Sequence, residues 1–268
     1  MKPILLRWLL VAMVMVLAGC TGSMSNDRRW GEDVTLLPGW GKVGEVLWNT
    51  VTAPEVWLPA AGALALQIDD GDERVSDWAL KHHPVFQDEE EAGDASDNLR
   101  AATYVAYGLS VVAAPSGPLD GHWALSKAKA LGVGLAAYGL TDSTTDVLKN
   151  ETNRERPNSE DDRSFPSAHA SQTAVYAILA DRNFRTTNMP AWAKISSKVG
   201  LTALPLATGW ARVEAGKHYP GDVLAGVALG NFFGMFINDV FMGIDPEVFQ
   251  LTVEPGKERG FVGVAIRY

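Results

Sequence analysis

The 268-residue chain is poor in several things, and each scarcity removes a class of explanation. It holds one cysteine, Cys20, so no disulfide forms within it and an ordinary buried core must hold it together. It has five histidines. His82 and His83 stand before Pro84, but no cysteine or carboxylate lies at ligand spacing beside them. Asp77 and Asp88 are near in sequence only, so the segment reads as a loop and not as a metal site. His122 stands near a helix start and takes no role. Basic residues are outnumbered, 23 Lys and Arg against 32 Asp and Glu, for a net charge of -9. That balance argues against nucleic acid as a partner, because phosphate backbones reward clustered cations. A local group of cations on an acidic protein still suits a small anion. Long apolar runs are scarce as well. Ala101–Leu119 is broken by Pro115, Gly117 and Pro118, and Val223–Asn238 is short of the roughly 20 apolar residues that a spanning helix needs. The helices expected here are those of a soluble bundle, and no internal repeat is present.

What the chain does have begins at its N-terminus. Lys2 and Arg7 are followed by an apolar run over residues 8–18 and then by Gly19 and Cys20, the pattern of a signal peptide. Leu17-Ala18-Gly19-Cys20 resembles the bacterial lipobox. The resemblance implies cleavage before Cys20 and acylation of its sulfur and new amino group, with palmitate-type chains. Two or three such chains anchor stably, at about 0.8 kcal/mol per buried methylene. Thr21 stands where an Asp would, by analogy, retain a lipoprotein in the inner membrane. The expected location is therefore the periplasmic face of the outer membrane.

The organisation read from the chain is a signal peptide at 1–19, a tether and N-terminal helical cap at 20–97, a helical bundle at 98–243 and a β-hairpin at 244–268. Residues 40–67 carry two amphipathic stretches on either side of Pro54, and 73–83 reads as a helical turn or two. The acidic stretch Asp88–Asp97 reads as a solvated loop between cap and bundle. The tryptophans at 30, 40, 48 and 57 are expected in the core rather than against lipid headgroups. Segments at 98–113, 122–149, 167–182, 190–211 and 220–242 have helical length and apolar faces, so the fold class is mainly α, a bundle with a core of about five helices. Asp120 and Ser167 are the expected N-caps of the second and third. Phe249, Leu251 and Val253, then Val262, Val264 and Ile266, alternate with polar or small residues and give the hairpin signal.

Three clusters carry chemistry. Lys149 is followed after six residues by Arg156-Pro157; Pro166-Ser167-Ala168-His169 comes next; Arg212 precedes His218 by five intervening residues, and Asp222 follows after three. Hydrolysis of a phosphate ester needs fixed cations for the charge spread over the equatorial oxygens, and arginine adds bidentate geometry. Lys149, Arg156 and Arg212 supply them, and the amides of Ser167 and Ala168 at a helix start add donors. In-line displacement also needs a nucleophile on one side and a proton donor on the other, roles that two histidines from separate helices can fill. A carboxylate four residues after His218 is within reach of its ring if a helical turn begins near Pro220.

In this order the three clusters resemble the signatures of the type 2 phosphatidic acid phosphatase superfamily, which includes bacterial nonspecific acid phosphatases and vanadium-dependent haloperoxidases. The resemblance covers Lys149 to Asp222 and implies a helical bundle. It implies His218 as a nucleophile forming phosphohistidine, His169 as the group that protonates the leaving oxygen and then activates water, and Asp222 as the group that orients His218. Lys149, Arg156, Ser167, Arg212 and the Ala168 amide would hold phosphate, with no metal or other cofactor. Ala168 replaces the common Gly of that motif and Ala211 replaces a common Ser, departures that bear on rate and substrate fit. The expected activity is hydrolysis of phosphomonoesters or pyrophosphates, of lipid-linked kind, at the cell envelope. Two alternatives remain open on the motifs: a haloperoxidase holding vanadate as cofactor, and a non-catalytic envelope binding protein on the same fold.

Overall fold

The fold is taken from a computed structural model, which describes residues 29–243 in full. The signal sequence, Cys20 and the C-terminal hairpin expected at 244–268 fall outside the fully described residues, so the architecture is that of the helices. Among the described residues there are eight α-helices: α1 Trp40–Val51, α2 Pro54–Ala65, α3 Gly71–His82, α4 Glu89–Ala113, α5 Gly121–Thr152, α6 Ala168–Arg185, α7 Ala191–Glu214 and α8 Pro220–Phe241. A 3₁₀ turn at Ile68–Asp70 joins α2 to α3.

Helix starts follow the side chains that satisfy orphan amides. Asp120 Oδ1 accepts from the Trp123 amide at 2.8 Å and opens α5, and Ser167 caps α6. The acidic stretch expected as a loop is instead the beginning of α4. Asp88 Oδ1 accepts the Glu91 amide at 2.8 Å, and Glu89, Glu90 and Glu91 occupy the first turn, where negative charge meets the positive end of the helix dipole. The solvated-loop reading was therefore wrong: the same charges stabilise a helix when they sit at its N-terminus. Residues 97 and 98 are consecutive positions of one 25-residue helix.

α6 is the central element, packed against α4, α5, α7 and α8, while α8 is covered on its other sides by α1, α2 and α5. The contact between α6 and α8 is very close. Gly226, Gly230 and Gly234 recur every four residues on the α8 face, and a Cβ at Gly230 would lie 2.2 Å from the Ser171 carbonyl oxygen. α8 is long and apolar enough to cross a membrane, and 61% of its most apolar window is buried inside the bundle. One core cluster gathers Tyr107, Val133, Val175, Leu179 and Ile237.

The tryptophans divide. Trp30 is buried and donates Nε1–H to Asn183 Oδ1 at 3.1 Å. Trp40 is 89% exposed, Trp48 69% and Trp57 46%, so the core position expected of all four holds for Trp30 alone. The α1 face that carries Trp40 and Trp48 is the exposed one, because Val46 and Thr50 are the buried positions of that helix.

Candidate active site

All eight residues singled out within the three motifs come together at one end of the bundle, where α5 and α7 end and α6 and α8 begin. Lys149 stands in the last turn of α5, Arg212 in the last turn of α7, and Ala168 opens α6. The helix ends are tied to each other. The Ser167 amide donates to the Asp222 carbonyl at 3.0 Å, joining the starts of α6 and α8. That bond removes the Ser167 amide from the donors expected to face an anion and leaves the Ala168 amide, at the first helical residue, in that role.

Lys149 and Arg156 are held by partners of their own. Lys149 is buried and donates Nζ–H to the Arg163 carbonyl. Burial, then the guanidinium groups of Arg156 and Arg163, bring its pKa down to about 8. Arg156 is fixed by Asp161: Nε to Oδ1 is 2.6 Å, and the two backbones also pair. Arg212 is half-buried, and its buried Nε has no hydrogen-bond partner among the described residues. Burial and the nearby Arg156 bring its pKa down to about 10. A buried, unpartnered guanidinium N–H beside two further cations is a donor set suited to an anion with several oxygens.

His218 is almost fully buried, and its Nδ1 lies 2.6 Å from the Ser164 carbonyl oxygen. A carbonyl only accepts, so Nδ1 carries the proton and Nε2 is left with its lone pair. Burial, followed by Lys149, Arg212 and Arg156, holds the ring well below the usual histidine range. His218 is therefore neutral near pH 7, with Nε2 unprotonated.

Asp222 departs from the expected arrangement. Its Oδ2 accepts from Ser164 Oγ at 2.5 Å and from the Tyr219 amide at 3.0 Å, and its Oδ1 accepts from Arg154 Nη1 at 2.6 Å. The expectation that it bonds the His218 ring directly is corrected here. As the third residue of α8 it reaches back to its own helix's N-cap amide, which turns the carboxylate toward Ser164. It bears on His218 through Ser164, whose hydroxyl it holds and whose carbonyl meets the ring.

His169 is 17% exposed, and its Nε2 lies 2.9 Å from Asp97 Oδ1. Burial first, then Arg212, with Arg100 adding, bring its pKa to about 4, against the pull of Asp97. Arg212 thus acts on both imidazoles. Asp97, Arg100, Arg154, Ser164 and Asp72 are site residues that the sequence reading missed. Arg154 has the clearest signal in retrospect, two residues before Arg156; Asp97 was hidden by the loop reading of 88–97.

The His82-His83 pair closes α3 instead of lying in a loop. His82 ends α3, its Nδ1 lies 2.9 Å from the Trp78 carbonyl, and it stacks on the Trp78 ring at 5.4 Å. No group of three or more His, Cys, Asp or Glu side chains suited to a metal occurs among the described residues. An apolar cleft of about 910 Å³ lies between α2, α5 and α8 and borders the site at Arg154, Phe165, Pro166 and Gly221.

Residues 129–243 match the PAP2 superfamily. The chain is 36% identical over 77 residues to decaprenylphosphoryl-5-phosphoribose phosphatase of Mycobacterium tuberculosis, a match that covers 29% of this chain and 37% of that protein. It is 35% identical over 105 residues to the protein of the same name from Mycolicibacterium smegmatis, covering 36% of this chain and 51% of that one. The matches thus span between about a third and a half of these relatives. A solved structure, the transmembrane PAP2 type phosphatidylglycerolphosphate phosphatase from Bacillus subtilis, shares 18% identity over 74% of this chain and 94% of that chain, with a TM-score of 0.43. The residues that match the PAP2 superfamily contain every one of the three motif clusters.

Proposed function

We propose that the chain is a phosphatase that hydrolyses phosphomonoesters or pyrophosphates, of lipid-linked kind, through a phosphohistidine at His218. The observation that carries this reading is the His218 ring: neutral, with its Nδ1 proton fixed on the Ser164 carbonyl, and facing the field of Lys149, Arg156 and Arg212. In the first half-reaction Nε2 attacks phosphorus, the bond to the leaving oxygen breaks, and His169 gives that oxygen a proton. In the second, water attacks the phosphohistidine, His169 takes the water proton, and inorganic phosphate leaves. The bound phosphate dianion opposes Arg212 and Arg100 and so raises the His169 affinity for a proton toward the range where it can act as an acid. Residues of the site perform each step without a metal or other cofactor, and vanadate is the expected inhibitor.

The lipid-linked class is supported by the names of the two mycobacterial relatives and by the apolar cleft that borders the site at Phe165 and Pro166. Acylation at Cys20 would hold the enzyme at the membrane face where such substrates lie, on the periplasmic side of the outer membrane.

The test is phosphate release by the purified full chain from polyprenyl-linked phosphates, phosphatidyl phosphates and soluble monoesters, in chelator. Release favouring the lipid-linked substrates, an acid-labile phosphoryl label on the protein and loss of both in His218→Ala are expected. No release from any of the substrates, or release unaffected by His218→Ala, overturns the reading. Halide oxidation with peroxide in the presence of vanadate would replace it with the haloperoxidase reading.

A further inference from the structure

Two carboxylates that touch this site, Asp72 and Asp97, lie before the residues that match the superfamily. Asp72 is the less obvious of the two. It sits in the first turn of α3, in the N-terminal segment, and is fully buried. Its Oδ1 accepts from the Gly221 amide at 2.6 Å, near the start of α8, and its Oδ2 accepts from Gln67 Nε2 at 3.0 Å. The same Oδ2 lies 3.0 Å from Arg154 Nη2. Arg154 in turn reaches Asp222 Oδ1 through Nη1 at 2.6 Å, lies 4.1 Å over the Tyr219 ring, and is 3.6 Å from Glu73. One guanidinium therefore bridges two buried carboxylates.

We propose that Asp72 is a positioning residue for the nucleophile, acting through Arg154, Asp222 and Ser164 on the Nδ1 side of His218. The inference rests on the phosphatase reading above. Each link is a fork or a two-sided acceptor. Arg154 offers one nitrogen to each carboxylate, Asp222 divides its oxygens between Arg154 and Ser164, and Ser164 presents its hydroxyl to Asp222 and its carbonyl to the ring. A bridge of this kind fixes the Asp222 carboxylate in rotation, which a single ion pair would not do. Asp72 also bonds the start of α8, so the same side chain registers the helix that carries Asp222 and the linker that carries Arg154. Gly221 has no side chain because a Cβ there would lie 2.8 Å from Asp72 Oδ2. The phosphate-holding side chains Lys149, Arg156 and Arg212 are not part of the chain of contacts.

A positioning role and a merely structural one give different kinetics. The experiment measures single-turnover phosphohistidine formation and steady-state kcat and KM for wild type, Asp72→Asn, Arg154→Ala and Arg154→Lys, each as the full chain and each normalised to phosphorylatable sites. The expected result is a loss of about tenfold or more in the rate of phosphohistidine formation and in kcat, with KM within about twofold of wild type. Arg154→Lys, which keeps the charge, should recover part of what Arg154→Ala loses. Where Asp72→Asn does not accumulate, the Arg154 pair, measured on folded protein, carries the test. Wild-type rates per site in all folded variants overturn the proposal, as does a change confined to KM. If wild type itself forms no phosphohistidine, it is the phosphatase reading that fails, and the two failures are told apart in the same experiment.

Discussion

Asp97 Oδ1 and His169 Nε2 stand 2.9 Å apart, a carboxylate–imidazole pair joining α4 to the start of α6. The carboxylate favours the protonated ring, while Arg212 and Arg100 disfavour it. Neutralising either side moves the ring in opposite directions. Asp97→Asn should shift the alkaline limb of the kcat profile toward lower pH, because the proton donor is lost sooner. Arg100→Gln should shift it toward higher pH. Profiles of the two variants that move together, or not at all, would show that His169 is not the acid.

Acid stability has a definite sign here. The His169 pKa falls from 6.5 in the unfolded chain to about 4 in the fold, so the unfolded state binds more protons between those values. Stability from this group is full above pH 6.5, decreases as pH falls toward 4, and is then flat. The total is about 3 kcal/mol from the size of the shift. His218 acts in the same direction and Asp222, raised by burial, in the opposite one. Comparison with His169→Asn isolates the single ring: urea midpoints of that variant should change less between pH 6.5 and 4 than those of wild type.

Lys149 titrates within reach of ordinary assays. With its pKa brought down to about 8, it loses its charge in the free enzyme as pH rises through that value, and phosphate binding weakens. KM should rise above pH 8 in wild type. Lys149→Arg stays charged, so its KM should be flatter from pH 7 to 9 even if it is higher throughout. Parallel KM curves for the two proteins would remove Lys149 from the phosphate contacts.

The helix ends and the motif residues were readable because each leaves a local mark. Asp120 and Ser167 stand before apolar runs, and the cations and histidines recur at fixed spacings. What was not readable depends on partners far away in the chain. Asp97 and Asp72 look like surface acids until α4 and α3 fold against residues 72 and 149 positions later, at His169 and Gly221. The same limit misplaced Asp88–Asp97. An acidic run is equally suited to a loop and to the first turns of a helix, and only the Asp88–Glu91 cap decides between them. Trp40, Trp48 and Trp57 were assigned to the core by residue type, although which face of a helix meets α8 is set by packing.

Two helix glycines, one in the α6–α8 contact and one in the open, give substitutions with opposite signs. A methyl group at Gly230 would meet the Ser171 carbonyl at 2.2 Å and Ala174 Cβ at 2.8 Å, neither of which can swing away. Gly230→Ala should lower stability by about 1–3 kcal/mol. At Gly132, in α5, an added Cβ meets nothing within 4 Å, and Gly132→Ala should raise stability by about 0.5–1 kcal/mol from helix propensity alone. Thermal or urea unfolding of the two variants checks both.

The bond from Asp72 to the Gly221 amide has a practical consequence for anyone dissecting this chain. A fragment trimmed to residues 129–243 would retain every signature side chain and still lose the two acids that reach in from upstream. Arg154 would then face Asp222 alone, the first turn of α8 would have one donor unanswered, and the His169 ring would lack its counter-ion. Domain limits drawn by sequence similarity would cut through the working unit, and an inert fragment of that length would reveal nothing about the intact enzyme.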